Sequence, residues 1–201
     1  MAKKESTLGT MILSLLLITA AASAALAGVY KMTEKSITEV QNQKKQQAIQ
    51  AVLHDFNGDL QRVGVLLDGD PDSVYVSLAY QQDQCVGAAV ETYTKKAFGG
   101  SFTLMVGFDA NGEITGTEVI KMAETPGLGD KINKEKSDFS KQFVTMNPAE
   151  ANFDLKVKKD GGTVDAITAA TISSRAYCDA VNRAAKAFDA VNPNKQGGDN
   201  E

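Results

Sequence analysis

FTLMVGFDANGEITGTEVIKM, residues Phe102 to Met122, is the stretch that decides the fold. Phe102 to Asp109 and Glu113 to Met122 are strand-like runs, and Asp109-Ala110-Asn111-Gly112 between them reads as a hairpin turn, because Asn-Gly accepts positive φ at low cost. Upstream, Ser73 to Tyr80 and Val86 to Tyr93 are strand-like too, and Phe98-Gly99-Gly100 joins the middle pair. The prediction is an antiparallel sheet. Downstream come a Pro/Gly loop (Glu124 to Gly129), a short helical candidate from Lys134 to Phe143, a strand candidate at Phe153 to Lys158 and a turn at Asp160-Gly161-Gly162. A last helix is expected from about Ile172 to Val191, with Ala176, Cys178, Ala180, Val181, Ala184, Ala185, Phe188 and Val191 on its apolar face and Pro193 stopping it. The tail Asn194 to Glu201 is polar. The class is α+β, an antiparallel sheet flanked by helices.

The largest composition shift lies at the start. No charge occurs between Glu5 and Lys31, and Met11 to Tyr30 (MILSLLLITAAASAALAGVY) is almost wholly apolar or small. At about 1.5 Å rise per residue this run spans roughly 30 Å, the thickness of a bilayer core, so it can cross a membrane once. A cleaved signal peptide is the competing reading, but the run is longer than the roughly 7 to 15 residues of a signal core. Lys3 and Lys4 before the run against Lys31 and Lys35 after it bias the N-terminus only slightly toward the cytoplasm. Small residues from Ala20 to Gly28 would let another helix approach closely, which favours a partner in the membrane. From Thr33 to about Leu53 the spaced Ile37, Val40, Ala48, Ile49, Val52 and Leu53 predict a helix that leaves the membrane and packs one stripe on a domain. The expected organisation is therefore 1–10 N-terminus, 11–30 transmembrane helix, 31–57 connecting helix, 58–192 folded domain and 193–201 tail.

With 201 residues there is room for one domain plus a short appendage, and 43% hydrophobic with 23% charged residues places the chain in the ordinary globular range. A net charge of -4 excludes a basic nucleic-acid-binding surface as the main theme. Two cysteines and one histidine do not supply the three or four ligands that metal cages and iron–sulfur clusters use. Cys85 and Cys178 read either as one disulfide in an exported domain or as two buried small hydrophobes. His54 stands alone and reads as a surface or interface residue.

Two motifs carry chemistry. Asp165-Ala166-Ile167-Thr168-Ala169-Ala170-Thr171 runs directly into Ile172-Ser173-Ser174-Arg175 and the last helix. Thr171 therefore sets a hydroxyl at or just before a helix N-terminus, where unpaired N–H groups and the helix dipole favour a phosphate. A plain N-cap explains the same residue, and the local sequence by itself favours that simpler role. In Glu124-Thr125-Pro126-Gly127-Leu128-Gly129, Pro126 and two glycines enforce a turn and remove bulk, so a flat ligand can lie on the backbone with Leu128 beneath it. Neither the nucleotide-hydrolase phosphate loop nor the dinucleotide fingerprint is present.

Together these residues resemble the FMN-binding domain of the G subunit of Rnf electron-transport complexes and of the related C subunit of sodium-pumping NADH:quinone reductases. The resemblance covers nearly the whole chain: the apolar helix, Val86 to Tyr93 with Lys95, Lys96 and Phe98-Gly99-Gly100, the run Met105 to Asp109, the ETPGLG loop and the terminal Asp-x-x-Thr-x-Ala-Thr. The length fits the Rnf protein better. The resemblance implies a flavinylation signal whose acceptor is Thr171, joined to the FMN phosphate by a flavin transferase that uses FAD. Asp165, Thr168 and Ala170 fall on the other matching positions and are expected to serve modification and local hydrogen bonding. The position between Thr168 and Ala170, usually glycine in the family, is Ala169 here; if the turn needs positive φ, alanine costs on the order of 1 kcal/mol. The ring is expected beside Glu124, Thr125, Gly127, Leu128 and Gly129.

The implied role is an electron relay in a membrane complex that couples electron flow between ferredoxin and NAD to ion movement. The domain would lie on the outer side of the cytoplasmic membrane, among other membrane and redox subunits. No residue would act on a substrate as acid, base or nucleophile. Two rival readings follow from the same residues: a tethered binding module without cofactor, and a stand-alone membrane-anchored flavin reductase.

Overall fold

Alternation along the strands sorts side chains between two layers. In the computed structural model, which describes residues 7–54, 56–70, 72–148 and 155–193, five strands form one antiparallel sheet in sequential order. They are β1 (Asp59–Val65), β2 (Val74–Gln81), β3 (Gln84–Ala97), β4 (Gly100–Asp109) and β5 (Ile114–Lys121). Val76 and Leu78 of β2, Ala88 and Val90 of β3, and Phe102, Leu104, Val106 and Phe108 of β4 point to one face and make the main core. That face is covered by α2 (Thr171–Val191), which lays Ala176, Ala180, Val181, Ala184 and Phe188 against it. Phe108 and Phe188 stack with ring centroids 4.7 Å apart. The alanines keep the helix backbone close to the sheet.

The other face carries smaller residues, Ala79, Ala89 and Gly107, with Met105. Onto it packs the end of α1 (Leu8–Val52), through Ala48 and Val52. A Cβ built on Gly107 would lie 2.6 Å from the Val52 carbonyl oxygen and 2.5 Å from Thr115 Oγ1, so the helix end sits directly on the strand backbone. Thr115 Oγ1 donates a 2.5 Å bond to that carbonyl, satisfying one of the open C=O groups at the helix end. The chain divides into two compact units at Gln43 and Lys44. The first holds the part of α1 that is exposed, uncharged from Leu8 to Tyr30, and long and apolar enough to cross a membrane.

Several sequence expectations change in detail. The run from Thr33 is helical, as expected, and continues the apolar segment in one helix, α1, from Leu8 to Val52. Strand β1 has no counterpart in the sequence reading, because DLQRVGV is an edge strand with mostly exposed side chains and lacks an apolar alternation. In the Asp109–Gly112 turn only Gly112 has positive φ; Asp109 Oδ1 accepts bonds from the N–H groups of Asn111 and Glu113 and so sets the loop. The helix expected at Lys134–Phe143 is corrected to turns followed by one 3₁₀ segment, Phe139–Phe143. Ser137 breaks the helical ladder, its Oγ accepting from the Phe139 N–H and donating to the Lys131 carbonyl, and Phe139 and Phe143 act as plugs against Tyr177. The strand expected at Phe153–Lys158 reduces, within the described residues, to a single parallel bridge between Val157 and Val164; Phe153 and Asp154 lie outside them, as does the tail from Asn194. Cys85 and Cys178 are buried thiols, not a disulfide.

Because Gly107 admits the helix end at contact distance, Gly107→Val should lower unfolding free energy by about 2 kcal/mol or more, read from the urea midpoint of the full chain. Gly161→Ala, whose Cβ position is open though its φ is +85°, should cost only about 1 kcal/mol.

Candidate functional site

The N-terminus of α2 is held by a turn, not by a side-chain cap. Ile167 to Ala170 closes with the Ala170 N–H donating to the Ile167 carbonyl at 3.0 Å, and Ala169 at its third position has φ +64°. Positive φ at that place alone is the type II pattern, which favours glycine. Alanine there bears the left-handed strain anticipated from the sequence. Ser174, fully buried one turn into α2, ties turn and helix together: its Oγ accepts from the Ile167 N–H at 2.9 Å and donates to the Ala170 carbonyl at 3.0 Å.

Ala170 occupies the N-cap position, with no side-chain cap, and Thr171 is the first helical residue. The simple capping role that the sequence allowed for Thr171 is therefore not what the structure shows. This half-buried residue lines a cavity of about 310 Å³ together with Glu124, Thr125, Leu128, Gly129, Ala169, Ala170, Ile172, Ser173 and Phe98. The first-turn N–H groups of a helix have no carbonyl behind them, so this wall carries positive potential.

The facing wall is the ETPGLG loop. Leu128 N–H donates to the Thr125 carbonyl at 3.2 Å, and Gly127 has φ +78°, so Pro126 and Gly127 take the two central places of a second turn of type II pattern. Gly129 is backbone squeezed between two functional side chains: a Cβ there would collide with Glu124 Oε2 and lie 2.6 Å from Ser173 Oγ. Phe98 arrives from the two-residue turn between β3 and β4, whose Gly99 packs on the Ala123 carbonyl. Phe98, Leu128 and Ile172 are 69%, 43% and 48% exposed and form an apolar rim.

The remaining motif residues act from outside the cavity. Asp165 is exposed and paired with Lys158 at 2.7 Å, while Gln142 brackets its backbone, accepting from its N–H and donating to its carbonyl. Thr168 is exposed at the second place of the turn, and Gly127 supplies conformation, not lining. Phe98, Ile172, Ser173, Ser174 and Gln142 complete the site; sequence reasoning assigned none of them a place in it, although Phe98 and the Ile172–Ser174 run lie in or beside the motifs quoted above. Only Phe98, an aromatic at a turn tip, left a visible signal.

Below the site, Tyr177 fixes α2 to the sheet by donating a 2.7 Å bond to Thr117 Oγ1, and burial pushes its phenol well above the usual value. Burial likewise pushes the Cys178 thiol up to about 12, so it is not a reactive thiolate at neutral pH. Arg175 pairs in bidentate fashion with Asp160 at 2.7 Å, and that guanidinium holds the Asp160 carboxyl below the usual carboxylate range. These partners are already engaged and leave the cavity's own groups to a ligand.

The donor set and shape fit a flavin mononucleotide: a hydroxyl beside open N–H groups, a glycine cradle that any side chain would fill, an unpartnered carboxyl in the wall and an apolar rim. Known proteins agree with that fit. Residues 97–186 match the family model described as an FMN-binding domain. The chain is 35% identical over 178 residues to the G subunit of the ion-translocating oxidoreductase complex of Salmonella typhi, covering 86% of each chain. It is 34% identical over 180 residues to the G subunit of the same complex from Escherichia coli strain K12, again 86% of each, and 35% over 193 residues to that of Yersinia pestis, 90% of each. Fold and site thus define a protein with an FMN-binding domain behind an apolar helix. The chain belongs to the family formed by the G subunits of ion-translocating oxidoreductase complexes.

If Ala169 carries backbone strain, Ala169→Gly should raise unfolding free energy by about 0.5 to 1 kcal/mol after glycine's greater unfolded-state freedom is deducted. Ala169→Val should lower it by more than about 1 kcal/mol, as β-branching worsens the left-handed conformation. Chemical denaturation of the two variants reads both.

Proposed function

We propose that this chain is a membrane-anchored electron carrier whose FMN is attached through a phosphoester to Thr171, serving an Rnf-type ferredoxin:NAD oxidoreductase coupled to ion translocation. The observation that carries the reading is the placement of Thr171: the first residue of α2, not a cap, opening on the cavity that the ETPGLG loop closes. On this reading residues 11–30 are the span, 58–192 the cofactor domain, and the domain stands on the outer side of the cytoplasmic membrane. Its partners are the other membrane and redox subunits, and a flavin transferase during maturation.

Attachment balances as a phosphoryl transfer. The Thr171 oxygen bonds to the phosphorus of the flavin half of FAD, the bond to the AMP half breaks, AMP leaves, and the hydroxyl proton passes to a base of the transferase. The diester that results carries about one negative charge, and the N–H groups at the start of α2 stabilise it by roughly 0.3 to 1 kcal/mol. Bound FMN supplies the reversible electron-accepting chemistry, and the protein sets its position and surroundings. The ETPGLG loop and Ala169 give a backbone wall without side-chain bulk, Leu128, Ile172 and Phe98 offer apolar surface to a flat ring, and the open rim leaves an edge within reach of a neighbouring subunit. Covalent attachment keeps the carrier loaded whatever the affinity of each redox state.

Thr171→Ala, expressed in full length beside a flavin transferase, should have the unmodified mass and show no in-gel flavin fluorescence after denaturation, with melting temperature close to that of the unmodified parent. Retention of covalent flavin in this variant would sink the assignment.

A further inference from the structure

Among the described residues that line the cavity, Glu124 alone has buried side-chain oxygens without a partner: it is 8% exposed, and neither Oε1 nor Oε2 accepts a hydrogen bond. The fold holds it there firmly. Gly99 packs its backbone against Ala123 and the Glu124 Cα, and the Gly129 cradle closes on Oε2. A buried, unpartnered carboxylate opposes folding more than the neutral amide of a glutamine of the same shape would. Such a cost persists where a ligand brings the missing partner.

Taken as a carboxylate, the group has acceptors only, and a ligand completes it by donating. A flavin has two kinds of donor: the hydroxyls of its ribityl chain and one ring N–H. Position decides between them. Glu124 Oε2 and Ser173 Oγ crowd the same point on Gly129, and Ser173 lies two residues beyond Thr171 in the first turn of α2. The ribityl chain is bonded directly to the phosphate anchored at Thr171, whereas the exposed apolar rim at the mouth suits the ring. We infer that Glu124 is the acceptor for the ribityl hydroxyls, a polyol subsite between anchor and ring for which the empty fold gives up stability. The inference rests on the flavin reading above.

The test uses the full chain carrying Thr171→Ala, so that no adduct forms, with and without Glu124→Gln, and two probes: riboflavin, and lumiflavin, which lacks the hydroxyls. Charge-assisted bonds to the carboxylate should make riboflavin bind about tenfold or more weaker to the Glu124→Gln chain, with lumiflavin changed less than about twofold. Without ligand, the same variant should melt roughly a few degrees higher, since a neutral amide replaces a buried charge. Equal riboflavin affinity in both chains, detectable or not, overturns the proposal when the native protein carries the FMN mass. Equal loss for both probes also overturns it, by moving the carboxyl to the ring or making it structural. A native protein of unmodified mass instead overturns the flavin reading, and the subsite with it.

Discussion

At the start of α2 backbone N–H groups face outward with no carbonyl behind them, and everything else in the site exists to keep that helix end in place and open. Three devices do so. Tyr177 and the Phe139–Phe143 plug pin the helix to the sheet from below. Ser174 binds it to the turn that precedes it. The left-handed Ala169 directs the chain away, so the helix mouth is not covered by its own leader. A capping side chain at position 170 would have answered the first donors internally; alanine leaves them to a ligand.

Close backbone approach is the second theme. Gly107 lets the end of α1 touch β4, Gly99 sets the β3–β4 turn on Ala123, and Gly129 threads between Glu124 and Ser173. Each position exchanges side-chain packing for proximity. The result is a sheet packed by helix on both faces, with the cavity at one end of α2 and a left-handed alanine at its edge.

Much of this was legible in the sequence where the physics is local. The Asp109–Gly112 hairpin, the α2 stripe from Ala176 to Phe188 and the apolar run of α1 all announce themselves by period, because each buries a face set by its own residues. The left-handed need at Ala169 was legible as a question, raised by the family pattern and answered by φ +64°. What failed was non-local. Edge strand β1 is specified by pairing with β2 and not by its polar side chains, and the Gln82-Asp83 turn between β2 and β3 takes positive φ at both residues without glycine or asparagine. Ser174 and Gln142 matter only because the fold brings Ile167 and Asp165 to them, and no spacing rule announces such bonds. The Lys134–Phe143 segment has the same origin: its phenylalanines pack edge-on against each other and both against Tyr177, from a 3₁₀ turn and not from an α-helix.

The most direct measurement is the fragment spectrum of the tryptic peptide Asp160–Arg175 from native protein, which contains Thr163, Thr168, Thr171, Ser173 and Ser174. The account predicts that the peptide carries FMN and that the fragments place it on Thr171. An unmodified peptide, or one with the flavin on any other hydroxyl, would contradict it.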